Sequence, residues 1–260
     1  MPPFCGKYPV ALISSGEAAA RVVAAAGVPR ERIVAIAPGV DTARFHPGVS
    51  GAGVRHELGL GAVPLVGLVA NIRGSKGHDV FLEAARAVIA REPRARFLIV
   101  GAGIGFDEVQ RKVRALGLDT IVRMTGFRRD IPEVMAALDL LVLPSLRSEA
   151  ASQVIPQALA VGTPVIASDV GGSGEIVRDR ETGRLVPAGD AAALAAAMLD
   201  CLADPATSRA MAQRGQALVR EHHSLDAAMT RTVAVYRRLL GNETVTEPRV
   251  TVKSGNASRP

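Results

Sequence analysis

Aromatic residues are scarce in this sequence. Its 260 residues include no tryptophan, two tyrosines and six phenylalanines. Because proteins that bind single-stranded nucleic acid stack the bases on aromatic side chains, this composition argues against a nucleic-acid partner. The net charge of +6 does not reverse that expectation, since the arginines are spread along the chain rather than clustered. Small anions such as nucleotide phosphates, and an anionic membrane surface, stay open as partners.

Cysteine and long apolar runs are scarce too. The two cysteines, Cys5 and Cys201, lie far apart with no C-x-x-C spacing, which argues against a structural disulfide or zinc site and favours a reducing compartment. No apolar run approaches the roughly 20 residues that a membrane span needs, and the N-terminus lacks the pattern of a secretory signal. We therefore predict a cytoplasmic protein, with peripheral contact at the inner face of the membrane left open.

Patterns for metal, redox and nucleophilic chemistry are also missing. No two aspartates are separated by a single residue, the histidines show no H-E-x-x-H spacing, and there is no G-x-S-x-G turn. The glycine run Gly101-Ala-Gly103-Ile-Gly105 departs from the dinucleotide fingerprint G-x-G-x-x-G, and the next predicted strand has no acidic residue at its end to hold a ribose. We therefore expect no metal and no cofactor, and we interpret these glycines as lining a phosphate or base pocket.

From about residue 63 the sequence alternates between short apolar runs and segments of helical periodicity. This alternation predicts a Rossmann-like α/β fold, a doubly wound parallel sheet whose crossover helices cover both faces, followed by C-terminal helices. The predicted strands are 63–70, 96–101, 121–125, 140–143, 164–167 and 184–187. The predicted helices are 79–91, 107–116, 131–137, one carrying Gln157, and 191–202, 205–221 and 225–240.

The two ends of the chain differ from this central part. Residues 1–50 hold roughly one more βα unit and a strand, and we predict that they are the remnant of a preceding domain with its interdomain linker. The glycine-rich run 48–53 is interpreted as a linker. Residues 51–240 form the main predicted domain. Residues 241–260 are polar and lack periodicity, so we predict a disordered tail.

Two charged residues stand where predicted strands end. Only four of the 31 basic residues are lysine, and one of them, Lys76, follows the first strand of the main domain together with Arg73. A flexible ammonium suits a diphosphate, and a guanidinium adds a fork of donors. Glu149 follows the fourth strand. Because the ends of parallel strands share one edge of a sheet, cation, carboxylate and glycine turns are expected to converge on one crevice.

The order of these motifs resembles the C-terminal, donor-binding domain of the retaining glycosyltransferases of GT-B fold, family four. The resemblance extends from about residue 10 to 240. It rests on Pro38-Gly-Val-Asp41, Lys76-Gly-His-Asp79, Gly101-Ala-Gly103, Thr125-Gly-Phe127, Leu143-Pro-Ser145, Glu149 with Gln157, Gly162-Thr-Pro-Val-Ile-Ala-Ser-Asp-Val-Gly-Gly172 and Gly183-Arg-Leu-Val-Pro-Ala-Gly-Asp190.

The resemblance implies roles for individual residues. Lys76, with Arg73, would hold the diphosphate of a nucleotide sugar, and Glu149 would bind the transferred sugar. The donor would also meet Gly101, Gly103, the base-bordering Gly126-Phe127-Arg128, and backbone amides of Ala150-Ala151-Ser152 at a helix N-terminus. Protein cations would stabilise the leaving diphosphate without a metal. The chain departs from the family at the second glutamate position, where Gln157 stands, and at Asn71, where many members carry a phosphate-binding arginine.

These residues support three hypotheses about function. The leading one is a retaining glycosyltransferase, or its donor half, that moves a hexose from a nucleotide diphosphate sugar to a glycan or lipid-linked acceptor. Because a GT-B site lies between two domains, we expect the isolated chain to transfer little. Supply of the N-terminal domain by another chain, with this chain as half of a split enzyme, stays open. The alternatives are a non-catalytic nucleotide-sugar-binding module, favoured by Gln157, and a sugar-nucleotide epimerase, for which no extra acid–base histidine is evident.

Overall fold

A computed structural model describes residues 10–147, 149 and 151–241 of the chain. Its centre is a parallel sheet of six strands in the order β5-β4-β3-β6-β7-β8, and β1 and β2 pair in a separate parallel sheet. The strands are β1 (Leu12–Ser14), β2 (Ile33–Ala35), β3 (Leu65–Val69), β4 (Arg96–Val100), β5 (Val122–Gly126), β6 (Leu140–Leu143), β7 (Val165–Ser168) and β8 (Arg184–Val186). The predicted Rossmann-like, doubly wound fold is thereby confirmed.

Helices cover both faces of the six-stranded sheet. They are α1 (Glu17–Ala25), α2 (Ala52–Glu57), α3 (His78–Ile89), α4 (Phe106–Ala115), α5 (Ile131–Ala137), α6 (Val154–Val161), α7 (Ser173–Ile176), α8 (Ala191–Ala203), α9 (Pro205–His222) and α10 (Leu225–Leu239). Successive strand residues alternate between two apolar clusters, one with α3, α4 and α8 and the other with α2, α5 and α6. Strands buried on both faces explain why the sequence shows continuous apolar runs at these positions.

One α-helix before β3 was not predicted from the sequence. The run Gly48–Gly53 was interpreted as a linker, but α2 begins inside it at Ala52. Val54 is buried in this helix, and a Cβ on Gly51 would lie 2.2 Å from the backbone nitrogen of Ala137 in α5. Tertiary packing therefore forms a helix where the local glycine content disfavours one. The division at residues 50 and 240 stays a prediction, and 242–260 lie outside the described residues.

No helix in the described ranges combines the length and apolar character needed to cross a membrane.

The first helix is capped by a residue that lies 158 positions further along the chain. Gly16, the residue before α1, has no side chain to accept the free amides. The carboxylate of Glu175 in α7 accepts them instead, from the Glu17 backbone nitrogen at 3.0 Å and the Ala18 backbone nitrogen at 2.6 Å. A carboxylate at a helix N-terminus satisfies free amides and opposes the positive end of the helix dipole. This contact holds α1 and the two-stranded sheet next to the main sheet.

We expect the substitution Glu175→Ala to loosen α1. Loss of an N-terminal cap costs about 1 to 2 kcal/mol, so the amides of α1 should exchange with solvent about 5 to 30 times faster. Hydrogen exchange measured by mass spectrometry checks this. Glu31→Ala, which removes an exposed carboxylate from the same N-terminal region, should leave those rates unchanged. Equal protection of α1 in the Glu175 variant and the wild type would contradict the capping role.

Candidate functional site

Lys76 and Glu149 meet at the C-terminal edge of the sheet. The Lys76 ammonium donates a hydrogen bond to Oε1 of Glu149 and forms an ion pair with it, across 73 positions of sequence. The side chains are 15% and 7% exposed, so the pair is largely withdrawn from water. A cation and a carboxylate removed from water together stabilise each other, and each becomes costly to bury if its partner is lost.

A tight turn places Lys76 at this edge. Residues Gly74–Lys76 form a single 3-10 turn between β3 and α3, and Gly77 follows with a φ of +69°. A Cβ at Gly77 would lie 1.9 Å from the carbonyl oxygen of Pro144, the residue after β6. The backbone nitrogen of Leu146 also donates to the Ser75 carbonyl oxygen at 2.9 Å. The loops after β3 and β6 are therefore joined backbone to backbone, and this brings the lysine to the glutamate.

A second glycine turn holds Glu149 from the other side. The backbone nitrogen of Gly172, after β7, donates to the Glu149 carbonyl oxygen at 2.6 Å. At Gly171 the φ is +57°, and a Cβ there would lie 2.5 Å from that same oxygen. Only a residue without a side chain fits this approach. The loops after β3, β6 and β7 thus converge on Glu149, the first at its carboxylate and the last at its backbone.

Ser145 completes this cluster, although no role was predicted for it. Its side chain is 1% exposed, and its hydroxyl donates to Oε1 of Glu149, the same oxygen that Lys76 contacts. The sequence signal was its position directly after β6, within the motif Leu143-Pro-Ser145. Position alone cannot show that its hydroxyl reaches a carboxylate four residues on.

Arg73, Gly101 and Gly103, which were also predicted to meet the donor, lie in the loops after β3 and β4. Arg73 is exposed at the start of the turn that carries Lys76. The backbone nitrogen of Gly101, after β4, donates to the Gly126 carbonyl oxygen at 2.9 Å. A Cβ on Gly103 would lie 2.3 Å from the Ile72 carbonyl oxygen. The glycine run after β4 therefore packs against the neighbouring loops, and its role in binding a ligand stays a prediction.

The residues predicted to border the base follow β5. Phe127 is 73% exposed, an unusual position for an aromatic side chain and one that leaves its ring available for stacking. The Arg128 guanidinium contacts Glu57 at 2.6 and 2.7 Å and Asp130 at 2.9 Å. These hydrogen bonds raise the pKa of Arg128 and lower the pKa of both carboxyl groups. Two carboxylates thus hold this guanidinium and tie α2 to the loop after β5.

The helix after Glu149 begins later than the sequence suggested. The amides of Ala150-Ala151-Ser152 were predicted at its N-terminus, but α6 starts at Val154. Ala151 and Ser152 lie in the connecting loop, and Ala150 lies outside the described residues. Pro156 restricts where the helix begins, because its ring fixes φ and suits the first turn. Gln157 lies in that helix, and its side chain is half-buried.

A buried histidine lies directly after the Lys76 turn. His78 is 4% exposed, and its Nε2 has no hydrogen-bond partner among the residues that the structure describes. Burial lowers its pKa from 6.5 to about 4; the charge of Lys76 acts in the same direction and that of Asp79 opposes it. The unfolded chain therefore binds this proton near pH 6.5 and the folded chain only near pH 4. The contribution of neutral His78 to the free energy of unfolding is therefore fully present above pH 6.5, and it is lost as the pH falls from 6.5 to 4.

We expect the free energy of unfolding to drop by about 3 kcal/mol between pH 6.5 and 4 through His78 alone. The variant His78→Phe should lose this part of the dependence of the unfolding free energy on pH. A similar part should remain from His223, because burial also lowers the pKa of His223 to about 4. Urea denaturation at several pH values measures the slope. His56→Phe, at an exposed position, is the control and should keep it. A slope unchanged in the His78 variant would refute the assignment.

Among the described residues, no group of three or more histidine, cysteine, aspartate or glutamate side chains is placed to hold a metal ion.

This chain is similar in sequence to proteins that are named as glycosyltransferases. In sequence, a D-inositol 3-phosphate glycosyltransferase of Nocardia farcinica is 38% identical over 214 residues, which cover 78% of this chain and 47% of that protein. A GDP-mannose-dependent alpha-(1-6)-phosphatidylinositol monomannoside mannosyltransferase of Mycolicibacterium smegmatis is 33% identical over 204 residues, covering 75% and 52%. The chain thus spans about half the length of the curated relatives it matches.

A solved structure has the same fold. The crystal structure of Anabaena Alr3699/HepE in complex with UDP and glucose superposes with a TM-score of 0.85 at 25% identity, covering 90% of this chain and 65% of that one. The family model for glycosyl transferases group 1 matches residues 63–204. That match takes in β3 to α8, with Lys76, Ser145 and Glu149, and is more than half of the chain. The chain therefore belongs to the glycosyl transferases group 1 family.

Proposed function

We propose that this chain binds the nucleotide diphosphate sugar donor of a retaining, metal-independent glycosyltransferase that transfers a hexose. The observation that carries the proposal is the joining of Lys76 and Glu149 by three loops at the C-terminal edge of the parallel sheet. Ligands of open α/β sheets bind at that edge. A cation and a carboxylate fixed there match the two ends of a sugar diphosphate, which are anionic phosphates and neutral hydroxyls.

The proposed chemistry is electrostatic. The ammonium of Lys76 opposes the negative charge that grows on the diphosphate as its bond to the sugar breaks, and Arg73 adds a second positive charge. The carboxylate of Glu149 accepts hydrogen bonds from sugar hydroxyls and favours the positive charge that develops on the sugar ring. Gln157 supplies an amide for the ribose hydroxyls, and the exposed ring of Phe127 borders the base. A glycan or a lipid-linked sugar accepts the hexose.

The names of the relatives support this donor class. They include a mannosyltransferase that depends on GDP-mannose and a protein crystallised with UDP and glucose. We therefore propose UDP or GDP as the nucleotide, and glucose or mannose as the sugar. The acceptor site and the transfer reaction of the whole enzyme involve residues beyond the donor site, so both are parts of this proposal.

Titration calorimetry of the purified chain with UDP, GDP, UDP-glucose and GDP-mannose tests the donor site. Heat of binding is expected with at least one nucleotide, together with tighter binding of its sugar conjugate. The variant Glu149→Ala should lose the gain in affinity that the sugar provides, because the carboxylate that accepts its hydroxyls is gone. Absence of heat with all four ligands would overturn the proposal.

A non-catalytic nucleotide-sugar-binding module is the second candidate, favoured by the neutral Gln157 at the position where the family carries a glutamate. Release of nucleoside diphosphate from the bound nucleotide sugar separates the two functions. An enzyme releases it when an acceptor is present, whereas a module binds the conjugate and leaves it intact. The variant Gln157→Glu restores the carboxylate that the family carries at this position. If the chain is part of an enzyme, this variant should release nucleoside diphosphate faster.

A further inference from the structure

The two charged groups proposed for the donor are bound to each other. We proposed that Lys76 binds the diphosphate and that Glu149 binds the sugar. In the structure, however, the Lys76 ammonium donates a hydrogen bond directly to Oε1 of the Glu149 carboxylate. The hydroxyl of Ser145 donates to that same oxygen. One carboxylate oxygen thus receives both hydrogen bonds, one from a cation and one from a neutral, buried hydroxyl.

This arrangement balances the charge of the cluster. Glu149 lies largely out of water, where an unpaired carboxylate is costly, and Lys76 supplies the compensating charge. A diphosphate that enters beside Lys76 brings several negative charges at once. The ammonium then has two competing anionic partners, and a phosphate carries more charge and more acceptor oxygens than a carboxylate.

We propose that Lys76 exchanges partners when the donor binds. Without donor it pairs with Glu149; with donor it moves to the diphosphate, and the released carboxylate becomes an acceptor for the sugar hydroxyls. Ser145 is a positioning residue in this exchange, because its hydroxyl keeps hold of Oε1 after the lysine has left. This inference rests on the proposed function and adds an order to it: the diphosphate end of the donor frees the residue that binds its sugar end.

The exchange predicts that Glu149 competes with the nucleotide for Lys76. The variant Glu149→Gln keeps the shape of the side chain but removes the competing charge, so its affinity for UDP or GDP should rise by about three- to tenfold. Removing any nearby negative charge also favours an anion. Asp169→Asn controls for this, because Asp169 is an exposed carboxylate after β7 at the same edge of the sheet. Its affinity should change by less than about twofold.

The results of the calorimetry separate the hypotheses. A rise in affinity confined to Glu149→Gln supports the exchange. An equal rise in both variants, or an unchanged or lower affinity in Glu149→Gln, overturns it. If the wild type binds neither UDP nor GDP, the proposed donor site fails first, and the exchange fails with it.

A crystal structure of the chain with the nucleotide that binds gives a direct second test. We expect the Lys76 ammonium within hydrogen-bond distance of a phosphate oxygen and apart from the carboxylate, with the Ser145 hydroxyl still on Oε1. Lys76 paired with Glu149 in the occupied site would overturn the exchange and leave the donor site intact.

Ser145→Ala tests the positioning role. This variant should bind the bare nucleotide with affinity within about twofold of wild type, while the extra affinity that the sugar provides falls several-fold. Retention of that extra affinity would show that Ser145 has only a structural role in the loop.

Discussion

Replacing Lys76 with alanine is expected to weaken the binding of nucleoside diphosphates by about a hundredfold or more. Hydrogen bonds between charged groups are roughly twice as strong as neutral ones, and removing one partner of a buried charged pair costs about 2 to 5 kcal/mol. The Lys76 ammonium is the only cation that the described residues place directly on Glu149, at the meeting point of three loops. Calorimetry with UDP and GDP measures the loss.

Two further variants make this result specific. Lys76→Arg keeps the charge on a side chain of different shape and should recover part of the affinity. Arg73→Ala removes an exposed cation from the same turn and should cost less than about tenfold, because an exposed charge is screened by water. A larger loss in the Arg73 variant than in the Lys76 variant would reverse the two assignments. The folded state of each variant is checked by circular dichroism, since Lys76→Ala leaves Glu149 without its cation.

The substitution Gly77→Ala is expected to lower the free energy of unfolding by more than about 3 kcal/mol. The residue has a φ of +69°, which costs a side chain about 1 to 2 kcal/mol. The added Cβ would also lie 1.9 Å from the Pro144 carbonyl oxygen, which belongs to rigid backbone after β6. Relief of that overlap requires the loops after β3 and β6 to separate, so the variant should also lose nucleotide affinity.

Glycines elsewhere in the chain provide matched controls for this loss of stability. Gly59 has nearly the same φ, +66°, but no atom of the described part of the chain lies within 4 Å of the position of its Cβ, so Gly59→Ala should show the cost of the backbone conformation alone. Gly74, in the Lys76 turn itself, has no described residue within 4 Å of the position of its Cβ and no such φ, so Gly74→Ala should be nearly neutral. Thermal or urea denaturation compares the three variants. Equal losses in Gly77→Ala and Gly59→Ala would show that the contact with Pro144 is unimportant.

Much of the main sheet could be predicted from the sequence, because its strands are buried on both faces and therefore apolar throughout. The strand at 140–143 was predicted to the residue, and the other five strands of this sheet to within about two residues at each end. The meeting of Lys76 and Glu149 was also predicted, since parallel strands end at one edge. Where local signals are weak, the sequence predicted less. α2, which begins inside a glycine-rich run, was missed, and α6 was predicted but begins later than expected, after an irregular loop. Tertiary packing decides both starting points.

The hydrogen-bond partners of side chains could not be predicted from the local sequence. The contact of Arg128 with Glu57 joins residues 71 positions apart, and nothing around either residue indicates the other. Ser145 is only four residues from Glu149, but the hydrogen bond between them depends on the path of the loop. Sequence patterns predict which elements form and which edge they share, whereas the pairing of polar atoms depends on distances of a few tenths of an ångström.

The segment from Gly172 to Glu175 makes contacts at both of its ends. Its first residue donates its amide to the backbone of Glu149, and its last residue caps α1. Only Ser173 and Gly174 lie between them. Both contacts therefore depend on the length of this segment. If one residue were inserted or deleted between Gly172 and Glu175, either the hydrogen bond of the Gly172 amide to the loop after β6 or the cap of the Glu175 carboxylate on α1 would be lost.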